Sequence, residues 1–179
     1  MKGMVFTEFL HMVENAFGYT IADRIVTESQ LPSQGVYTAV GTYNPAELFA
    51  LIGQLSKASG ISVDELQVSF GKYLFPRFAV LYPDLLKEAT GALELLASLE
   101  NYVHKEVRKL YPDAELPLFE PRYLSEHCLE LIYRSRRAMG PFALGLILAC
   151  GEHFNTPLEV QQELLSDDGS AVKFTIARV

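Results

Sequence analysis

The spacing of apolar residues changes near Pro112, and this change constrains the fold more than any other feature of the chain. Before Pro112, apolar residues recur every three or four positions, as on one side of an α-helix. After it, apolar and polar residues alternate as in strands with one buried face, except over the nearly all-apolar residues 142–154. A helical half followed by two strands, a helix and two strands predicts an α+β fold.

Start and stop signals divide the helical half into separate helices. Asn44 is a candidate cap at a helix start, and Gly18 and Gly60 follow the ends of apolar stripes. We expect helices over residues 5–17, 20–29, 48–59, 62–78 and 92–110. Pro76 predicts a kink or break in the fourth helix, because proline cannot donate a backbone hydrogen bond. Residues 36–40 are expected to be extended.

Two pairs of strands are predicted after Pro112. Residues 118–124 and 128–135 form the first pair, and the second pair flanks a turn at residues 167–169. Alternation places two sets of apolar side chains on one face of their strands: Leu129, Leu131 and Tyr133 in the first pair, and Val172, Phe174 and Ile176 in the second.

Composition excludes several classes of protein. The chain has 179 residues, of which 49% are hydrophobic and 21% charged, which fits a single domain over residues 1–179 with a sizeable core. The net charge of -7 and the absence of a long basic cluster argue against a nucleic-acid partner. The opening residues include an acid and no long apolar run, so we expect neither a signal peptide nor a membrane anchor, and a cytoplasmic protein.

One histidine is placed where it could bind a metal. In residues 92–110, His104 lies beside the apolar stripe, with Leu93, Ala97 and Tyr111 on its flank. Neutral imidazole is a good iron ligand, and burying it without a partner costs roughly a few kcal/mol. Taken alone, this helix favours a surface or hydrogen-bonded histidine over a metal ligand.

Three hydrogen-bond donors follow one another at the end of a predicted strand. Tyr133, Ser135 and Arg137 are spaced by two, which predicts that their side chains share one face. A guanidinium suits a bidentate carboxylate, so a flat molecule with two carboxylates, such as haem, would satisfy the set. Taken alone, the pattern also fits an ordinary exposed strand end.

Together these motifs resemble a known family. His104 followed by Tyr133-x-Ser-x-Arg137 is similar to the H-NOX family, the haem nitric oxide/oxygen binding domains, and the resemblance covers essentially the whole chain. Further matching segments are Met1-Lys2-Gly3, Tyr73-Leu74-Phe75-Pro76, Arg108-Lys109-Leu110-Tyr111-Pro112 and Gly145-Leu146-Ile147.

The resemblance implies a haem b between an N-terminal helical lobe and a C-terminal lobe with helices and a four-stranded antiparallel sheet. It implies that His104 is the proximal iron ligand and that Tyr133, Ser135 and Arg137 bind the propionates. Pro117 resembles the family proline that bends the porphyrin, and Val5 and Leu146 resemble other family positions that pack on it. Release of that strain would be the start of a signal.

The resemblance also bears on the choice of gas. Family members that bind O2 stably carry a distal tyrosine at the position occupied here by Phe142. Phe142, Phe9, Leu74 and Phe78, the residues implied for the distal pocket, cannot donate a hydrogen bond to O2. We therefore expect a sensor of nitric oxide, which also binds CO and does not hold O2. Loss of the bond between iron and His104 on NO binding, followed by flattening of the haem and a shift of the lobes, is implied.

No output domain is recognisable before the chain ends at Val179, so the resemblance implies a separate effector, a sensor histidine kinase or a diguanylate cyclase. Since no cysteine follows Cys150, we expect no structural zinc. Ser135 has no histidine at a plausible spacing, and we do not expect an enzyme. Two alternatives remain: a haem-free module of related fold that binds a small apolar molecule, and a haem-transport protein.

Overall fold

The computed structural model describes all residues from 1 to 179. It contains seven α-helices and four strands, which confirms the α+β prediction. The helices are α1 (Gly3–Phe17), α2 (Tyr19–Glu28), α3 (Pro45–Ser59), α4 (Val63–Leu81), α5 (Ala92–Ser98), α6 (His104–Leu110) and α7 (Gly140–His153). The strands are β1 (Leu118–Ser125), β2 (Cys128–Arg134), β3 (Leu158–Leu164) and β4 (Ala171–Arg178). Backbone contacts divide the chain into two compact units, Met1–Phe70 and Gly71–Val179.

The first unit is helical. Helix α1 contacts α2, and α2 contacts α3. Phe6 and Phe9 of α1 are fully buried, and the ring of Phe9 meets that of Phe70 edge to face at 5.2 Å. The N-terminal ammonium of Met1 donates to the backbone oxygen of Tyr43 at 2.8 Å. Apolar packing and this terminal hydrogen bond therefore hold α1 in place.

The second unit is built on an antiparallel sheet with the strand order β1-β2-β4-β3. The side chains assigned to the core by alternation are buried: Leu129, Leu131, Tyr133, Val172, Phe174 and Ile176. They form one cluster with residues of α5 and α7, such as Leu93 and Ile147. The positive φ of Gly169 lies in the predicted turn between β3 and β4. The sequence therefore predicted the sheet and its buried face correctly.

Helix α7 lies in the core of the second unit, as its apolar composition predicted. Its contact with α4 is close: a Cβ atom added at Gly71 would lie 2.3 Å from the backbone oxygen of Phe142 and 2.8 Å from the backbone nitrogen of Leu146. Only glycine allows the two backbones to approach this closely. None of the helices combines the length with the apolar character that crossing a bilayer requires.

One local prediction was wrong, and another was wrong in part. Residues 36–40 form no strand, and Val36 and Val40 are 71% and 74% exposed, because no strand lies beside them to pair with or cover them. Pro76 does not break α4, which continues to Leu81, and a kink at this residue stays a prediction. The missing backbone donor costs one hydrogen bond, and burial of neighbouring side chains such as Leu74 outweighs that cost.

The helix predicted over residues 92–110 is present but not regular. A π-helical turn, Leu99–Val103, separates α5 from α6, and the backbone N–H of His104 donates to the oxygen of Leu99. Turns of this kind are rare and often found at functional sites. The histidine singled out from the sequence is the first residue after it.

Candidate functional site

His104 is buried and held by one side chain. It is 8% exposed at the start of α6, and its Nδ1 atom lies 3.1 Å from Oε2 of Glu100, four residues earlier. The other carboxylate oxygen of Glu100 accepts from Arg108 at 3.2 Å. The backbone N–H of Phe119 also lowers the pKa of this carboxylate. Two side chains of α6 and a backbone N–H of β1 therefore lie around one carboxylate of the π-helical turn.

These contacts determine the protonation of the imidazole. Burial lowers the pKa of His104 below its ordinary value of 6.5, with a further lowering by Arg108, although Glu100 acts in the opposite direction. Burial alone would raise the pKa of Glu100, but the hydrogen bonds from His104 and Arg108 outweigh it and lower that pKa. The imidazole is therefore neutral near pH 7. Because an ionised carboxylate only accepts, the ring proton is on Nδ1 and the lone pair is on Nε2.

The sheet connects this histidine to the distant tyrosine motif. Phe119 of β1 pairs with Tyr133 of β2 in the antiparallel register, and their rings are 5.6 Å apart. The ring of Phe119 is also 5.7 Å from that of His104. Three rings in sequence therefore join the π-helical turn region to the end of β2.

The tyrosine motif lies partly beyond the strand. Strand β2 ends at Arg134, so Ser135 and Arg137 are in the following turn, and the prediction that all three alternate along a strand was wrong. The strand ends there because the backbone N–H of Ser135 donates to Ser170 and that of Ala138 to Ser135, which closes a turn. The turn nevertheless keeps the three side chains together.

A polar cluster results from this turn. The hydroxyl of Tyr133, which is 2% exposed, accepts from the backbone N–H of Met139 at 3.0 Å and lies close to Ser135. The Oγ of Ser135 accepts from the backbone N–H of Arg137 at 3.2 Å. Burial raises the pKa of Tyr133, against the effects of Ser135, Met139 and Arg137, so the phenol stays protonated near pH 7.

Arg137 is paired with a carboxylate. Its guanidinium donates to the backbone oxygen of Glu115 at 2.9 Å and to its Oε2 at 3.0 Å. The side chain of Arg137 is 18% exposed, whereas that of Glu115 is 86% exposed. Since the guanidinium is held in place and its partner is in solvent, another carboxylate could replace Glu115 without moving Arg137.

Three of the four residues expected in the distal pocket, together with the expected porphyrin contact Leu146, are on two helices of the second unit. Leu74 and Phe78 follow Gly71 by three and seven residues on α4, and Phe142 and Leu146 are on the part of α7 that approaches Gly71. Leu74 is fully buried, and the other three are partly buried. Close packing at Gly71 thus brings these four residues onto facing helices.

The remaining expected haem contacts are elsewhere in the chain. Pro117 is partly buried in the segment before β1, two residues from Phe119. Val5 and Phe9 are on α1 of the first unit, where Val5 is partly buried and Phe9 fully buried.

These side chains fit a haem. An iron porphyrin needs an axial nitrogen donor and partners for two propionate groups. His104 has a neutral ring with its lone pair on Nε2, and Tyr133, Ser135 and Arg137 provide a phenol, a hydroxyl and a guanidinium. The guanidinium already binds a carboxylate in this structure, which is the chemistry that a propionate requires.

Three residues of the site were not predicted from the sequence: Glu100, Glu115 and Phe119. The spacing of Glu100, His104 and Arg108 by four is a visible signal for helical neighbours and could have revealed the carboxylate. Glu115 and Phe119 carry no such signal, because strand pairing and a turn bring their partners to them.

Comparison with known proteins gives consistent matches. The haem-NO-binding family, HNOB, matches residues 2–162. The structure of the Fe(II) unliganded H-NOX protein from K. algicida is 44% identical, with a TM-score of 0.96 over 100% of this chain and 97% of that one. The IWP-051-bound H-NOX from Shewanella woodyi in the Fe(II)CO state is 37% identical, with a TM-score of 0.85 over 100% and 95%.

A more distant structure shares the fold. The H-NOX protein from S. oneidensis in the Fe(II)NO state is 22% identical, with a TM-score of 0.93 over 100% of this chain and 99% of that one. No curated protein matches the chain. The family match over residues 2–162 and the two relatives above 30% identity confirm the resemblance found in the sequence, and the chain belongs to the haem-NO-binding (H-NOX) family, whose domains bind haem and sense gases.

Proposed function

We propose that this protein senses nitric oxide at the ferrous iron of a haem b whose proximal ligand is His104. The observation that carries the proposal is the buried, neutral imidazole, with its proton directed to Glu100 and its lone pair on Nε2. Tyr133, Ser135 and Arg137 would bind the propionates, and the cluster that they form supports this role.

The packing contacts of the porphyrin belong to the same proposal. Pro117, Val5 and Leu146 would contact its faces, with Pro117 bending it. Because the family matches residues 2–162 without interruption, we propose that the two compact units belong to one haem-binding domain over residues 1–179.

Selectivity for NO over O2 follows from the residues proposed for the distal pocket. Bound O2 carries partial negative charge and is stabilised by a hydrogen-bond donor in a dry site, whereas NO depends far less on one. Leu74, Phe78, Phe142 and Phe9 have no donor in their side chains. CO, the ligand described for the S. woodyi relative, is also expected to bind, because it too needs no donor.

The signal would begin at His104. A bound haem would supply the ferrous iron to which NO binds, and NO binding would weaken the bond between that iron and His104. The imidazole would then leave the iron and remain hydrogen-bonded to Glu100, and this change would pass to neighbouring residues such as Phe119. We propose a sensor without catalytic activity, located in the cytoplasm, whose effector is a separate sensor histidine kinase or diguanylate cyclase.

Absorption spectra of the purified, haem-reconstituted protein test the proposal. We expect a Soret band, no stable oxy-haem spectrum when the ferrous protein is exposed to air, and a five-coordinate nitrosyl spectrum at stoichiometric NO. A stable oxy-haem spectrum, or a persistent six-coordinate nitrosyl spectrum, would contradict the assignment. Absence of a Soret band would favour a haem-free module that binds a small apolar molecule.

A matched variant tests the ligand itself. In the variant His104→Gly, free imidazole should fill the place of the side chain, so that the ferrous spectrum depends on added imidazole. Without imidazole the variant should resemble the NO-bound state of the unchanged protein. If adding imidazole leaves the ferrous absorption spectrum of the variant unchanged, His104 is not the ligand.

A further inference from the structure

The carboxylate of Glu100 accepts from two side chains of α6 and also lies near a backbone N–H of β1. Nδ1 of His104 donates to Oε2 at 3.1 Å, and Arg108 donates to Oε1 at 3.2 Å. The backbone N–H of Phe119 on β1 makes the smallest contribution to the lowered pKa of this carboxylate. The side chain of Glu100 is only 22% exposed, so these partners, more than solvent, determine its properties.

The backbone around Glu100 is unusual as well. Glu100 is inside the π-helical turn Leu99–Val103, and His104 follows that turn directly. A π-helical turn is less stable than a regular one and is often retained where it places a functional side chain. Here the turn and α6 together hold the carboxylate against Nδ1 of the histidine.

A carboxylate at Nδ1 alters the other nitrogen of the ring. When the N–H of a metal-bound imidazole donates to a charged acceptor, the ring becomes a more basic and stronger ligand, and its orientation is held. Arg108 acts against this effect, because a guanidinium on the second oxygen withdraws negative charge from the carboxylate. Glu100 therefore strengthens the imidazole as a ligand, and Arg108 reduces that effect.

We infer that Glu100 is a positioning residue that sets the strength of the bond between His104 and the haem iron, and that Arg108 weakens this action of Glu100. The inference rests on the proposed function, in which loss of that bond starts the signal. A stronger bond between His104 and the iron would persist after NO binds. A weaker bond would break even in the absence of NO. Phe119, on the strand β1 that follows Pro117, lies near the same carboxylate. Displacement of the imidazole would therefore change the surroundings of β1.

The test uses two substitutions with opposite expected effects. Glu100→Gln keeps an acceptor for Nδ1 but removes the charge, so the iron–imidazole stretching frequency in resonance Raman spectra of the ferrous protein should fall. The rate at which His104 leaves the iron after NO is added should rise by about 10-fold, a typical effect of removing such a partner. Arg108→Met removes the competing cation and keeps the apolar stem, so the frequency should rise and the rate should fall.

Glu106→Gln is the matched control. Glu106 is on the same helix, two residues after the histidine, and it pairs with Lys109 instead of His104. This variant should leave both the frequency and the rate unchanged. A simple loss of helix stability would affect the control and the test variants alike and would not give shifts of opposite sign.

The outcomes separate this inference from the proposed function. If Glu100→Gln and Arg108→Met shift the frequency in the same direction, or no more than Glu106→Gln does, the inference is wrong. If Glu100→Gln does not hold haem, Arg108→Met decides alone, because its frequency must rise. If adding imidazole does not change the spectrum of His104→Gly, the assignment of His104 as the ligand is wrong. If that spectrum depends on imidazole and the other variants show no shift, only the inference about Glu100 fails.

Discussion

Replacing Tyr133 by phenylalanine removes one oxygen atom from the most buried polar position of the tyrosine motif. In the structure that oxygen accepts from the backbone N–H of Met139 at 3.0 Å. Both Tyr133 and Met139 are buried. The phenylalanine ring fills almost the same volume, so no large cavity is left.

The size of the change in stability follows from the backbone N–H of Met139, which loses its acceptor. A buried backbone N–H without an acceptor costs about 1–3 kcal/mol. Tyr133→Phe should therefore lower the free energy of unfolding by about 1–3 kcal/mol. With a slope of about 2 kcal/mol per M of urea, the unfolding midpoint should fall by about 0.5–1.5 M.

The assay is urea unfolding followed by circular dichroism at a fixed haem content, so that ligand binding contributes equally to each variant. Tyr123→Phe is the matched control, because Tyr123 is on the neighbouring strand β1 and is 49% exposed. The control should change the free energy of unfolding by less than about 0.5 kcal/mol. If Tyr133→Phe is as stable as the control, the hydroxyl does not satisfy the N–H of Met139 and the description of the cluster is wrong.

Three further predictions concern other parts of the chain. Phe142→Tyr should produce an oxy-haem spectrum that persists in air, because it adds a hydrogen-bond donor to the proposed distal pocket. Phe142→Leu adds no donor and should not produce that spectrum. If the two variants behave alike, the assignment of Phe142 to the distal pocket is wrong. Asn44→Ala should lower the free energy of unfolding by about 1 kcal/mol, since Asn44 caps α3 by accepting from the backbone N–H of Ala46, and an unchanged urea midpoint would contradict the cap. Burial above all raises the pKa of Tyr37 and Tyr82 to about 12, so they should ionise late in an ultraviolet titration of the folded protein. The unfolded chain loses these protons near pH 10, so their contribution to stability is complete below that pH and is lost as the pH rises to about 12; a single ionisation step near pH 10 for every tyrosine would contradict this.

The sequence predictions that were confirmed depend on residues within a few positions of one another. The cap at Asn44, the glycine stop at Gly60 and the alternation of Leu129, Leu131 and Tyr133 are each decided by neighbours in the chain. Such signals depend on backbone hydrogen bonds and on the period of a helix or strand, so they survive without knowledge of the rest of the molecule.

The failures have the opposite character. Residues 36–40 were expected to be extended but find no partner strand, and Pro76 removes a hydrogen bond without ending α4. Ser135 and Arg137 leave the strand because Ser170, far along the chain, accepts from the backbone of Ser135. In each case a distant part of the chain decided the local structure.

By itself the sequence determined the α+β order, the buried faces of the sheet and the identity of the residues that could bind a haem: a histidine of suitable chemistry and three donors for carboxylates. Only the tertiary structure decided how they meet. The register that pairs Phe119 with Tyr133 brings the rings of His104 and Tyr133 to either side of one phenyl group, and the turn after β2 places Arg137 against Glu115. Strand register and turn closure depend on which apolar faces are buried together across the whole unit, and no short segment of the chain contains that information.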